Sequence, residues 1–137
     1  MNKITWKNAK IPIGDTDITN VQTRINFAFP NDFKELIINY NSANPDKGGI
    51  DTLKTKGREF LRLLSVRPQD KSYIPEIADN VEFLQKSLVP IATDSGGDFF
   101  CYDKLSPIKA IVFWDHETSE VEFVAKNITE LLEKLYK

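Results

Sequence analysis

The sequence predicts an α+β domain, and two observations carry that prediction. In the first half and again at the C-terminal end, apolar residues recur at helical spacing. From residue 88 to 124 they form short runs separated by polar turns, as in an antiparallel-leaning sheet. At 137 residues the chain suits one domain spanning 1–137. A chain of that size buries roughly two thirds of its unfolded surface and needs no disulfide or metal to hold it.

Residues 1–14 mix Ile4, Trp6, Ile11 and Ile13 with Pro12 and Gly14, which fits an extended arm or an edge strand better than a helix. From Asp15 the pattern changes. Thr16 or Asp17 can cap a first helix that carries Ile18, Val21, Ile25 and Ala28 on one face. Pro30 cannot continue that helix, but its missing N–H costs nothing in the first turn of another, so two helices are expected to meet at Phe29-Pro30. Asp32 adds favourable charge there, and Phe33, Leu36, Ile37 and Tyr40 make a core stripe.

Asn41 to Gly49 is the longest stretch of turn chemistry and ends the second helix. Ile50 to Thr55 and Arg58 to Val66 flank Lys56-Gly57 as a hairpin. The period of its longer arm, Phe60 to Leu64, also suits a helix; Gly57 and Pro68 bracket it and favour a strand. Residues 67–73 form a charged loop. Pro75 then opens a third helix, with Ile77, Val81, Leu84 and Leu88 at helical spacing and an end near Ser87.

Leu88 to Thr93 and Phe99 to Tyr102 read as two strands joined by a turn at Gly96-Gly97, where a glycine supplies φ > 0. Lys109 to Trp114 is apolar on both alternating sets, as in a central strand covered on both faces. Glu120 to Val124 alternates, which places one face in water and the strand nearer an edge. Asp115 to Ser119 links these two as a polar hairpin loop. Asn127-Ile128-Thr129-Glu130 has capping-box spacing, and Ile128, Leu131, Leu132 and Leu135 form the stripe of a closing helix. Lys134 and Lys137 sit where the helix dipole favours cations.

Composition excludes several function classes. Eighteen Lys+Arg against twenty Asp+Glu leave a net charge of −2, too balanced for phosphate neutralisation on a nucleic acid and too weak for a DNA mimic. No apolar run approaches the ~20 residues of a membrane span, and residues 1–7 lack the apolar core of a signal peptide. One cysteine excludes an intrachain disulfide and makes a cytoplasmic address the expectation.

The candidate chemical motifs fail on spacing. His116-Glu117 resembles the start of a zinc-protease motif, but the position four beyond His116 is Glu120 and the context is a hairpin loop. Cys101 and His116 make a thiol–imidazole dyad formally possible, yet a cysteine between Phe100 and Tyr102 on a strand reads as packed core. Asp94, Asp98 and Asp103 flank glycines in the wrong positions for a calcium loop. A strand follows Gly96-Gly97 where a phosphate loop needs a helix N-terminus. Phe99, Phe100, Tyr102 and Trp114 are expected in the core rather than around a ligand. The expectation is no catalytic residue, no metal and no cofactor.

Three blocks resemble one family. Phe29-Pro30-Asn31-Asp32-Phe33-Lys34-Glu35-Leu36 is similar to the "Leu-Pro-x-Asp-Tyr-Lys-x-Phe/Leu" helix start of the SUKH superfamily, the Smi/Knr-like proteins. Val89 to Asp103 resembles its "Pro-Ile-Ala-x-Asp-Gly-Gly-Asn/Asp-x-Tyr/Phe-Cys-Tyr/Leu-Asp" signature. Ile111 to Glu117 resembles its hydrophobic strand ending in "Asp-His-Glu". The likeness covers the chain from Asp17 onward. One departure is that Asn41-Ser42-Ala43-Asn44 stands where the family often has Asn-Gly-Gly, with Gly48-Gly49 later, which implies a lengthened loop.

The resemblance implies a single SUKH-like domain with a mixed sheet and helices packed around it, about four in this chain. For bacterial members it implies an immunity protein that sits in the cytoplasm and binds a cognate polymorphic or contact-delivered toxin domain, often a nuclease. Fungal members act as signalling scaffolds in cell-wall regulation, so a scaffold or regulatory binding module is the alternative. The expected partner is the toxin domain, with no nucleic acid and no membrane, and the chain itself a monomer or weak homodimer. Asp94, Ser95, Asp98, Asp115, His116 and Glu117 are polar loop residues placed to meet a basic toxin groove; read as solvated turn residues, they have no such role.

Overall fold

Strands β6 to β8 of a five-stranded antiparallel sheet hold the largest share of the core in this computed structural model, which describes residues 2–137. In chain order, strand β1 (Trp6–Lys7) is followed by helices α1 (Asp15–Ile25) and α2 (Asn31–Tyr40). Four short strands come next: β2 (Asn44–Pro45), β3 (Gly49–Ile50), β4 (Arg58–Glu59) and β5 (Arg62–Leu63). Helix α3 (Ile74–Asn80) leads to β6 (Leu88–Thr93), β7 (Phe99–Asp103), β8 (Ile111–Trp114), β9 (Val121–Ala125) and the closing helix α4 (Ile128–Glu133). The large sheet runs β5-β6-β7-β8-β9; β1 pairs with β2 and β3 with β4. Every ladder is antiparallel, and an isolated bridge between Ser65 and Tyr73 is parallel.

Three sequence expectations need correction. Helix α1 is capped by Gly14, and Asp17 acts from inside the first turn by accepting the Gly14 amide at 3.0 Å. It ends at Asn26, whose φ of 55° closes it, so Ala28 lies beyond the helix and is exposed. The two helices therefore do not meet at Phe29-Pro30. Residues 26–30 bridge them because Phe27 and Phe29 turn inward to the ring of Tyr102, at 5.4 and 6.4 Å between centroids. On α2 the stripe loses its last member, for Tyr40 is 39% exposed and stacks on Trp6 at 5.7 Å.

The second correction concerns residues 50–66. A hairpin forms around Gly57, with Ile50 opposite Arg58 and a φ of 76° at the glycine. Its second arm does not stay with it. β5 crosses to the large sheet, where Arg62 and Leu63 face Thr93 and Ala92, because Leu63 and Leu64 find a dry environment only there. Third, α3 stops at Asn80 rather than near Ser87. Val81 is already extended, Phe83 follows with a φ of 67°, and Leu84 reaches the core from this irregular segment, so tertiary burial overrides the local helical period.

The middle strands match their apolar runs. Phe100, Tyr102, Phe113 and Trp114 are fully buried, and Phe100 packs between Phe60 and Phe113 at 5.3 and 5.1 Å. Pro90 is tolerated inside the sheet because the register shifts between Pro90 and Ala92. At the edge, β9 alternates, but its wet face is the apolar one: Val121 and Phe123 are 38% and 42% exposed. The other face carries Glu122, opposite Phe113 and covered by the β3–β4 hairpin. There Arg58 lies 4.1 Å over the Phe113 ring and 3.3 Å from the Glu122 carboxylate, which also accepts from the Thr52 hydroxyl.

Candidate functional site

Antiparallel pairing of β6, β7, β8 and β9 brings two turns to the same end of the sheet, because Phe99 lies opposite both Thr93 and Trp114. The first turn is built on Asp94. Its Oδ1 accepts the amides of Gly96 and Asp98, each at 2.9 Å, and Gly97 supplies the left-handed step with φ 93°. The second turn is built on Asp115, whose Oδ1 accepts the Glu117 amide at 2.8 Å while Ser119 closes the loop with φ 60°.

The two turns are joined by one residue pair. Asp98 Oδ1 accepts the His116 amide at 2.9 Å and lies 2.7 Å from His116 Nδ1. The His116 ring lies over Gly97, at ordinary van der Waals distance from where a Cβ would stand, so it is the φ of 93° that calls for glycine there. The Asp98 side chain is 14% exposed and the imidazole 41%, so the carboxylate is the covered partner and the ring the presented one.

Electrostatics follow from this geometry. The hydrogen bond to Asp98, against a smaller loss of hydration, raises the His116 pKa, with the charges of Asp98, Glu117 and Asp115 adding to it. Burial works to raise Asp98, but the amide and ring of His116 and its shared bond with Asp94 outweigh burial and hold it low. Asp94 goes the other way: burial and the neighbouring Asp98 charge raise it. The pair Asp98–His116 is thus held charged, beside a second aspartate that bears the cost of proximity.

Of the residues singled out from sequence, Asp94, Asp98, Asp115 and His116 come together here. Asp98, Asp115 and His116 offer ligand atoms within 4.8 Å of one another. His116 Nδ1 is already bonded to Asp98, so this is the geometry of an ion pair. Ser95 turns away to Glu59 on β4, which accepts its amide at 3.0 Å and its hydroxyl at 2.7 Å. Glu117 is exposed at the loop tip. Glu59 was not identified from sequence, since nothing around it signals a partner 36 residues away. Cys101 is fully buried opposite Val112, and burial pushes its thiol pKa far up, which suppresses the thiolate a nucleophile requires. His116 lies in the loop beyond that strand.

With the geometry in place, comparison with known proteins gives two positive findings. The model of the SMI1 / KNR4 family (SUKH-1) matches residues 12–134. The fold is similar to that of a protein from Pseudomonas syringae pv. tomato known from a crystal structure, with a TM-score of 0.58 and 17% identity over 96% of this chain and 87% of that one. No curated protein matches the chain in sequence.

Proposed function

The chain belongs to the SMI1 / KNR4 family (SUKH-1), and from that premise we propose that it is a non-enzymatic immunity protein which binds and neutralises a cognate bacterial toxin domain in the cytoplasm. The observation that carries this reading is the acidic ridge at the turn end of the sheet, together with the role that SUKH membership implies for bacterial members. Asp94, Asp98, Asp115 and Glu117, with Glu59 beside them, outnumber the cation His116 that they surround. A nuclease toxin carries a basic groove for its substrate, and a carboxylate-rich surface on fixed turns complements such a groove. Asp94, Ser95, Asp98, Asp115, His116 and Glu117 form the partner-binding face in this reading, while the buried protonated Cys101 takes no part.

Co-expression with the protein encoded immediately upstream tests it. Rescue from toxicity together with co-purification establishes immunity; absence of both leaves a scaffold or regulatory binding module. If the turns steer association, reversing charge at the exposed loop tip with Glu117→Lys slows the on-rate by about threefold or more at low salt and leaves the turn's own hydrogen bonds intact.

A further inference from the structure

The β5 edge of the sheet carries the opposite charge. Over β5 lies an open cavity of about 360 Å³ lined by Lys10, Arg62, Gln69, Asp70, Lys71 and Ser72. Among the described residues, Lys10, Arg62 and Lys71 enter no salt bridge. The only carboxylate in the lining is already engaged: Asp70 accepts from the Ser65 hydroxyl at 2.7 Å and lies 3.6 Å from Arg67. The Gln69 amide oxygen, in its hydrogen-bonding orientation, is likewise taken up by Arg67, at 3.1 and 2.8 Å.

What remains is a surplus of donors. Arg62 Nε is buried and has no acceptor in the protein. Ser72, 7% exposed, has its hydroxyl 3.3 Å from that of Ser42, itself 2% exposed, and each bonds only the other. Two hydroxyls sharing one hydrogen bond leave one O–H over, and when Ser42 donates, it is Ser72 on the cavity wall that keeps a free proton. A donor left without an acceptor is costly, and here Arg62 and Ser72 line one cavity with two exposed lysines on a chain whose net charge is −2.

We propose that this cavity is an oxyanion-binding site, in which the terminal guanidinium N–H groups of Arg62, with the Ser72 hydroxyl, donate to a phosphate or carboxylate group and Lys10 and Lys71 balance its charge. The planar guanidinium suits both groups, since its N–H donors match paired oxygens. The site shares no residue with the acidic turns and does not depend on the immunity reading.

The Arg62 Nε–H and Ser72 amide resonances read the site directly in the intact chain. Titration with inorganic phosphate, with adenosine monophosphate and with a tetraglutamate peptide, each against sodium chloride at equal ionic strength, is expected to give a saturable shift with at least one probe. Saturation by phosphate or the nucleotide assigns the oxyanion to a phosphorylated small molecule; saturation by the peptide alone assigns it to an acidic chain. In Arg62→Gln the affinity falls by about tenfold or more, as loss of a charge-assisted hydrogen bond implies. Lys10→Gln combined with Lys71→Gln changes only exposed side chains, so it reports even if the Arg62 variant fails to fold, and it too weakens the saturable probe. No saturable shift with any probe, or the same affinity in both variants, overturns the proposal.

Discussion

Phe100 and Asp98 are two residues apart, one inside β7 and the other in the turn that leads into it, and they are held by different forces. Phe100 is wholly out of water, between Phe60 and Phe113, with no polar partner. Asp98 is held by directed bonds from the amide and ring of His116, 18 residues further on. The same strands thus carry a region stabilised by area removed from water and a region shaped by hydrogen-bond geometry at little cost in buried surface. Substitutions in the middle of the sheet should therefore cost stability, and substitutions at its turn end should alter charge and shape while the fold persists.

The largest expected effect is Phe100→Ala, which removes a ring from a filled core and should cost about 3–5 kcal/mol in urea unfolding. Loss of the Asp98–His116 contact in a variant that still folds would break the separation between the two regions. Glu122 is the intermediate case, a carboxylate with only 10% of its side chain exposed that ties the β3–β4 hairpin to β9. Glu122→Ala strips Arg58 and Thr52 of their shared acceptor and should cost about 1–3 kcal/mol, read by the same unfolding curve. Next comes Asn127, whose Oδ1 accepts the Glu130 amide at 2.8 Å. Asn127→Ala should cost about 1 kcal/mol, with faster amide exchange confined to α4.

The smallest effect on stability is expected from the turn pair, and it is read by pH. His116 has its folded pKa above the unfolded value of 6.5, so its contribution is complete below that pH and is lost as pH rises through the folded pKa. Asp98 has its folded pKa below 3.8, so its contribution is complete above that value and is lost as pH falls through the folded pKa. The pair is therefore fully formed between about pH 4 and 6.5. An NMR titration of the imidazole should show its pKa drop towards the ordinary value in Asp98→Asn. An unchanged midpoint would mean that Asp98 does not hold the ring.

Much of the architecture is legible in the sequence alone. Apolar runs marked β6, β7 and β8; Gly96-Gly97 marked the tight turn; and Asn127 marked the start of α4, where its side chain does cap the helix. The resemblance to the SUKH superfamily, drawn from three short blocks, agrees with a family match over residues 12–134. These features are local, since burial pattern, turn conformation and capping are each written in a window of a few residues.

What was missed is long-range. The helical period at Ile77, Val81 and Leu84 runs on past Asn80, where α3 stops because Val81 turns extended and Leu84 enters the core from outside the helix. The alternation in β9 was visible, but which face would be covered depended on a hairpin more than 60 residues away, joined through Glu122 and Arg58. The sequence groups Asp98 and His116 among polar loop residues of one face; only the sheet register sets them 2.7 Å apart. Arg62 carries no local signal, as an arginine on a short strand normally faces water, and the cavity it lines forms only where residues 10, 62 and 69–72 converge. The sequence by itself determined the α+β class, the central strands and their turns, because those follow from local patterning. The tertiary structure decided where helices end, which polar groups are covered and which charges meet, because each is a choice among distant partners made by strand pairing and burial.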